Sequence, residues 1–395
     1  MCRATTEAET FFARPAVPTV RMFASRATHV ELSGIRKMFE GAPSGAINLG
    51  LGEPDFQPPS HILEALERAV RGGMNKYGPT GGLPELRSAI AERLSKTAKV
   101  KADEVLVTTG ATEGLAATMQ SLVDRGDEVL TPDPGFVLFA PHITLASGTP
   151  VFYKVRPEDG FNPRIEDLNE LVTPKTKAIV VNSPANPTGG TFERKTIKGI
   201  VEVAEDNDLV IISDEVYEPF VYEGRHETFL GKYDKCVYVN SFSKLFSITG
   251  WRLGYLSAPK EMVKTIAKIS YYFIACPPTP TQFAVLAGLR GPQDFVVQMV
   301  KEFGQRREIV VDALNKVKGF ECPWPKGAFY VFPSFRFDMT SEALAMKILK
   351  AGVICTPGSA FGPGGEGHLR FSYANSREIL VKAMEIVAGV AESLA

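Results

Sequence analysis

From Ala46 onward, short runs of apolar and β-branched residues alternate with longer stretches whose apolar residues recur every three or four positions. The runs Val105–Thr109, Glu128–Thr131, Ala178–Asn182, Leu209–Ser213 and Val237–Ser241 predict strands. The stretches His61–Val70, Glu85–Leu94, Thr112–Val123 and Lys195–Asp206 have the spacing of helices buried along one face. Strands alternating with helices predict an α/β fold in three layers, a mostly parallel sheet with helices on both faces. Ligands of such sheets gather beyond the carboxyl ends of the strands, and most of the unusual loops below directly follow a predicted strand. After Gly291-Pro292 the pattern changes. A long helix (Phe295–Val317), a strand (Gly327–Phe332) behind the turn Pro323-Trp324-Pro325-Lys326-Gly327, and a final amphipathic helix (Glu378–Leu394) are predicted. The chain therefore divides into a large domain over residues 60–291 and a smaller α+β domain over 292–395. The segment 1–59 joins the smaller one and begins as an arm without periodicity over roughly 25 residues.

Composition narrows the class. The 395 residues are 44% hydrophobic and 23% charged, enough for a sizeable core. Lys and Arg number 44 against 45 Asp and Glu, so the formal net charge is −1, which argues against a nucleic-acid binder. No apolar run approaches the ~20 residues of a membrane span. Met1–Val20 carries Glu7 and Glu9 and lacks the apolar stretch of a signal peptide. The five cysteines (Cys2, Cys236, Cys276, Cys322, Cys355) are scattered, which suits reduced thiols in a cytoplasmic protein and matches neither a disulfide framework nor a zinc site. These features predict a cytoplasmic enzyme without a metal.

The most informative stretch is Asn240-Ser241-Phe242-Ser243-Lys244, continued by Gly250-Trp251-Arg252-Leu253-Gly254-Tyr255. A lone loop lysine is ordinarily a solvated charge. At an apolar strand end, however, its proton affinity falls and its amine becomes available for a Schiff base. Ser241, Ser243 and Arg252 would surround a bound anion with donors. Ser-Phe-Ser-Lys followed by Gly-Trp-Arg-Leu-Gly-Tyr resembles the pyridoxal-phosphate lysine signature of class I aminotransferases, of fold type I. Matching stretches follow in the family's order along most of the chain, with the archaeal and bacterial aspartate or aromatic enzymes as the nearest likeness.

Each further motif has a plain reading and one that the resemblance implies. Asn182-Ser183-Pro184-Ala185-Asn186-Pro187-Thr188-Gly189 is by itself a Pro/Gly turn. The resemblance makes Asn186 a donor to the cofactor's phenolic oxygen, close to the substrate. Asp214, in Ser213-Asp214-Glu215-Val216-Tyr217, is by itself a strand-end acid, and Tyr217 a core aromatic. The resemblance sets Asp214 against the pyridine nitrogen and Tyr217 beside Asn186 at the phenolic oxygen. Thr109-Gly110-Ala111-Thr112-Glu113-Gly114 is a strand-to-helix turn whose free N–H groups favour an anion. Gly110, Ala111 and Thr112 become phosphate contacts, while Glu113 reads as a first-turn helix acid. Phe136, in Asp133-Pro134-Gly135-Phe136, becomes the face that stacks on the cofactor ring. Tyr77, in Tyr77-Gly78-Pro79-Thr80-Gly81-Gly82, becomes a phosphate ligand donated to a neighbouring subunit, which implies a homodimer with shared sites. Gly52, in Gly50-Leu51-Gly52-Glu53-Pro54, becomes a backbone contact to the substrate. Arg370, in Leu369-Arg370-Phe371-Ser372, becomes the fork for the α-carboxylate.

The implied activity is transfer of an amino group from an L-amino acid to a 2-oxo acid, 2-oxoglutarate by family habit. Kinetics would be ping-pong, with Lys244 as general base and acid and Asp214 and Tyr217 assisting. The side-chain pocket is expected to involve a helix over Glu31–Phe39 and the aromatics Tyr271-Tyr272-Phe273. A carbon–sulfur β-lyase would share the same lysine, aspartate and arginine. A non-enzymatic effector-binding domain is the second alternative. A dinucleotide oxidoreductase would need Gly-x-Gly-x-x-Gly after the first strand, which is absent from that context.

Overall fold

The computed structural model of the chain describes residues 23–28, 30 and 42–394; the helix expected over Glu31–Phe39, most of the N-terminal arm and Cys2 lie outside them. The expected alternation forms a seven-stranded sheet of β1 (Val105–Thr108), β2 (Glu128–Asp133), β3 (Thr149–Lys154), β4 (Thr176–Asn182), β5 (Val210–Asp214), β6 (Cys236–Ser241) and β7 (Gly254–Ser257). Their order across the sheet is β1-β7-β6-β5-β4-β2-β3. Neighbours run parallel except β7, which is antiparallel to both β1 and β6.

Helices α1 (Gly110–Leu122), α2 (Arg194–Asp206) and α3 (Lys260–Ile274) cover the sheet. Val180, Ile212 and Val239 join Leu115 of α1 and Ile266 of α3 in one core. Ile179, Val181 and Ile211 join Ile197 and Ile200 of α2 in another. Successive residues of β4 thus enter opposite cores, as the two-residue period of a strand requires, and the three-layer α/β expectation holds.

Two features of the sheet differ from the hydrophobic pattern. Strand β3 is not predicted by it, because this strand pairs only with β2, contains Pro150 and exposes Thr149, Phe152 and Lys154. An edge strand needs no continuous apolar run and tolerates proline. The direction of β7 is the second. Parallel neighbours need a long crossover, whereas antiparallel ones can be joined at the same end of the sheet. Ser241 ends β6 directly opposite Gly254, which begins β7, and Thr108 at the end of β1 also faces Gly254. Residues 242–253 are therefore a loop that stays at the carboxyl end of the parallel strands.

Beyond residue 291 the long helix α4 (Asp294–Lys316) packs against the final helix α5 (Arg377–Glu392). Beside them, β8 (Tyr330–Val331), β9 (Thr356–Pro357) and β10 (Leu369–Ser372) form an antiparallel sheet in the order β8-β10-β9. The strand expected over Gly327–Phe332 narrows to β8. Ala328 takes φ +55° and Gly327 bridges to Val221 instead, so regular pairing begins only afterwards. Ile47–Asn48 pairs with Val353–Ile354, which ties the chain before residue 60 to this region. Phe303, Val310, Leu314, Leu380 and Met384 form its core, with Leu49 packed among them. Among the described residues no helix is long and apolar enough to cross a membrane.

Candidate active site

The loop 242–253 brings Lys244 and Arg252 to one place. Ser241 caps the single helical turn Phe242–Leu245, its Oγ accepting from the Ser243 N–H at 3.1 Å and lying 2.9 Å from Ser243 Oγ. Lys244 follows in that turn, and its Nζ donates to the Gly52 carbonyl at 2.5 Å. Burial depresses the ammonium to about 8; the Glu53 carboxylate opposes that shift, and the guanidinium charges of Arg252 and Arg370 add to it. Arg252 adopts a left-handed φ of +54° and donates from Nη1 to the Thr249 carbonyl at 2.9 Å. No carboxylate pairs with it among the described residues. A Cβ built on Gly110 would fall 2.6 Å from Arg252 Nη2, so glycine lets the guanidinium rest on the start of α1. A Cβ on Gly254 would meet the Ala111 N at 2.8 Å, so strand β7 can pass this close only with glycine there. Arg252, the two serines and the open N–H groups of α1 form a cradle for an anion.

The carboxyl ends of β4 and β5 build the floor. Asn182 and Asp214 are register partners, and Asn182 Nδ2 donates to the Asp214 carbonyl at 2.9 Å. Asn182 Oδ1 accepts from the Asn186 N–H at 2.9 Å, which shapes the loop that carries Asn186. The Asp214 carboxyl is buried and accepts one hydrogen bond, from the Val216 N–H at 3.3 Å. Burial raises it to about 7, against the Val216 bond and with the help of the neighbouring Glu215 charge. Tyr217 Oη lies 2.7 Å from Tyr330 Oη, and burial keeps the Tyr217 phenol protonated.

Arg370 forms the far wall from strand β10, opposite Thr356. Its Nη1 donates to Asn186 Oδ1 at 2.8 Å, and its Nη2 donates to the Gly50 carbonyl. The rings of Tyr330 and Phe361 flank the guanidinium at 4.5 and 4.9 Å. The group is 2% exposed, its Nε has no partner and no carboxylate pairs with it among the described residues. A buried cation left in this condition is a receptor for an anion, because an uncompensated charge is costly away from water.

These groups line one cavity of about 230 Å³. Of the residues expected from the sequence, Gly52, Ala111, Thr112, Phe136, Asn186, Asp214, Tyr217, Ser241, Ser243, Lys244, Arg252 and Arg370 all border it. Gly110 sits behind Arg252 rather than on the wall. Tyr77 is not part of the wall formed by its own chain, being 90% exposed. The expectation that Tyr271-Tyr272-Phe273 approach the site does not hold within the chain. They occupy the last turn of α3, whose buried residues are Val263, Ile266 and Ser270, and all three aromatics face outward. Glu113 accepts from the Thr109 N–H at 3.2 Å, as a first-turn acid does. The sequence reading missed Tyr330, Leu51, Leu115, Val216 and Thr249, which also line the cavity. Leu51 and Val216 each stand beside a residue it did single out, whereas nothing local marks Tyr330.

Comparison with known proteins follows from this geometry. The family described as aminotransferase class I and II matches residues 44–385. A probable aspartate aminotransferase of Methanocaldococcus jannaschii is 40% identical over 379 residues, covering 94% of this chain and 100% of the relative. An aromatic-amino-acid aminotransferase of Thermococcus litoralis is 39% identical, covering 90% and 95% respectively. A solved alanine aminotransferase of Pyrococcus furiosus superposes with a TM-score of 0.89 at 35% identity, covering 94% of this chain and 100% of that one.

Proposed function

This chain belongs to the aminotransferase class I and II family, and from that premise we propose how its cavity performs amino-group transfer. It is a pyridoxal-phosphate-dependent transaminase acting on amino acids and 2-oxo acids. One observation carries the assignment of roles. A lysine amine of lowered proton affinity, a buried carboxyl of raised proton affinity and a buried guanidinium without a carboxylate partner meet in a single cavity.

The donor set fits the cofactor group by group. Arg252, Ser241, Ser243 and the N–H groups of Ala111 and Thr112 at the start of α1 would hold the phosphate, and Phe136 offers a flat apolar face to the ring. Asn186 spends its carbonyl oxygen on Arg370, which leaves its NH₂ to donate beside the Tyr217 hydroxyl toward a phenolic oxygen. Bound pyridoxal phosphate supplies an aldehyde that accepts amines and a ring that withdraws electrons from the substrate Cα.

The protein's own groups do the rest. The Lys244 amine, at about 8, is partly neutral near pH 7, so it can bond to the aldehyde. Freed from that bond, it would take a proton from the substrate Cα and deliver it to the carbon that carried the aldehyde, the transfer that turns an amino acid into a 2-oxo acid. Asp214 would face the ring nitrogen, which is cationic when protonated, and an opposite charge there would draw its carboxyl back to the ionised form. Arg370 grips the α-carboxylate with two parallel hydrogen bonds, which sets the angle of the Cα–H bond. Gly52 supplies backbone at the substrate end.

The proposal also includes a division of the chain at residues 60 and 291, a cytoplasmic location, 2-oxoglutarate as acceptor and a homodimer. The dimer is supported by the exposure of Tyr77 and of Met74 close to it in the chain, and would let Tyr77 reach the partner's phosphate. Relatives named for aspartate, aromatic and alanine donors support a broad donor range. Incubating the holoenzyme with 2-oxoglutarate and a panel of L-amino acids is expected to yield glutamate with parallel-line ping-pong kinetics. Release of pyruvate and ammonia from cysteine-like donors without an acceptor would favour the β-lyase instead.

Stability should report on Asp214. In the protein stripped of cofactor its carboxyl titrates near 7, against about 3.9 in an unfolded chain. Between those values the native state holds a proton that the unfolded state has released, so stability falls as pH rises from 4 through 7. The loss attributable to this group is about 3–4 kcal/mol. Stripped Asp214→Asn enzyme should lose correspondingly less stability between pH 5 and pH 8, measured by thermal unfolding. Equal losses in both proteins would contradict the assignment.

A further inference from the structure

Tyr330, on strand β8, is buried to 1% exposure and touches both ends of the proposed machinery. Its Oη lies 2.7 Å from Tyr217 Oη, and its ring lies 4.5 Å from the Arg370 guanidinium carbon. A Cβ on Gly52 would fall 1.7 Å from the Tyr330 oxygen, so the absence of a side chain at residue 52 is what admits this hydroxyl. The Tyr217 oxygen is the one hydrogen-bond partner of that hydroxyl among the described residues.

Proton counting then fixes a direction. A phenol carries one proton. If Tyr217 donates its proton to the cofactor's phenolic oxygen, its own oxygen must accept, and Tyr330 is positioned to donate. Burial raises both phenols and the neighbouring Arg370 charge draws both down, so the direction within the pair rests on the proton count. A phenol that accepts a hydrogen bond becomes a stronger donor through the other.

We propose that Tyr330 is a positioning residue with two separable parts: its hydroxyl strengthens the hydrogen bond of Tyr217 to the cofactor, and its ring holds the Arg370 fork in place for the substrate carboxylate. The inference rests on the roles given above to Tyr217 and Arg370. A hydrogen bond to the phenolic oxygen stabilises its anionic form and so lowers the pH at which the lysine–cofactor linkage loses its proton. The hydroxyl therefore acts on a spectral titration, and the ring acts on substrate affinity.

The test uses holoenzyme and two readouts, the pH midpoint of the bound-cofactor absorbance band and the KM for an amino donor. Tyr330→Phe keeps the ring and is expected to raise the midpoint by about half a pH unit, with KM within about twofold of wild type. Tyr330→Leu removes both parts, and should give the same midpoint shift with KM raised about tenfold. Tyr217→Phe should raise the midpoint further than Tyr330→Phe, and adding Tyr330→Phe to it should change nothing more. A midpoint that moves in Tyr217→Phe but not in Tyr330→Phe overturns the relay and leaves the reading of Tyr217 standing. No movement in Tyr217→Phe overturns both. Additive shifts in the double variant, or an unchanged KM in Tyr330→Leu, overturn the corresponding part of the proposal.

Discussion

Lys244→Ala is expected to lower transamination by at least about 10⁴-fold and to remove the absorbance band of the lysine-bound cofactor. The size of the loss follows from what else the cavity contains. Its other cationic side chains are Arg252 and Arg370, and a guanidinium keeps its proton at any working pH, so neither can act as a base or form the covalent bond. Asp214, at the end of β5, is not a substitute for an amine. The fold should tolerate the change, because among the described residues Lys244 makes a single hydrogen bond, to the Gly52 carbonyl. A coupled assay and a thermal scan on the same preparation separate the two effects. Turnover within tenfold of wild type at an unchanged melting temperature would remove Lys244 from the mechanism.

Arg370→Lys is expected to lower kcat/KM for amino acids by about 10²–10³-fold. The charge survives, but the planar fork does not. A lysine amine cannot satisfy Asn186 and the Gly50 carbonyl while also meeting a carboxylate with two parallel bonds. The loss should be confined to donors bearing an α-carboxylate. A simple primary amine, poor in either enzyme, should react at similar rates with both. An equal loss for amine and amino acid would mean that Arg370 supports the structure of the cavity rather than the grip on the substrate.

How much of this was legible in the sequence depended on chain distance. The residues at the ends of β1 and β6 were marked by local chemistry, a glycine turn opening a helix and a serine-rich lysine loop, whereas the Asn-Pro-Thr-Gly loop after β4 and the strand-end acid of β5 were marked only by the resemblance to class I aminotransferases. The parallel sheet then gathers those ends without further instruction. Contacts that span the chain were not marked. Arg370 meets Asn186 across 184 residues, and Tyr330 meets Tyr217 across 113. Tyr330 reads locally as one more aromatic in Ala328-Phe329-Tyr330-Val331, and only tertiary packing turns it toward the cavity. The aromatic run Tyr271-Tyr272-Phe273 lies away from the cavity of its own chain for the converse reason. Its composition suggests a pocket, yet helical periodicity spreads three consecutive residues around the outer surface of α3. Strand β3 lay hidden because an edge strand carries no buried run on both faces.

The guanidinium of Arg370 is anchored by Asn186, Gly50 and flanking rings before any substrate arrives. On the role proposed for Arg370, recognition of what all α-amino acids share is thus built into the scaffold and needs little rearrangement on binding. On that reading donor choice is left to the rest of the chamber, which fits relatives named for donors as unlike as aspartate, alanine and the aromatics.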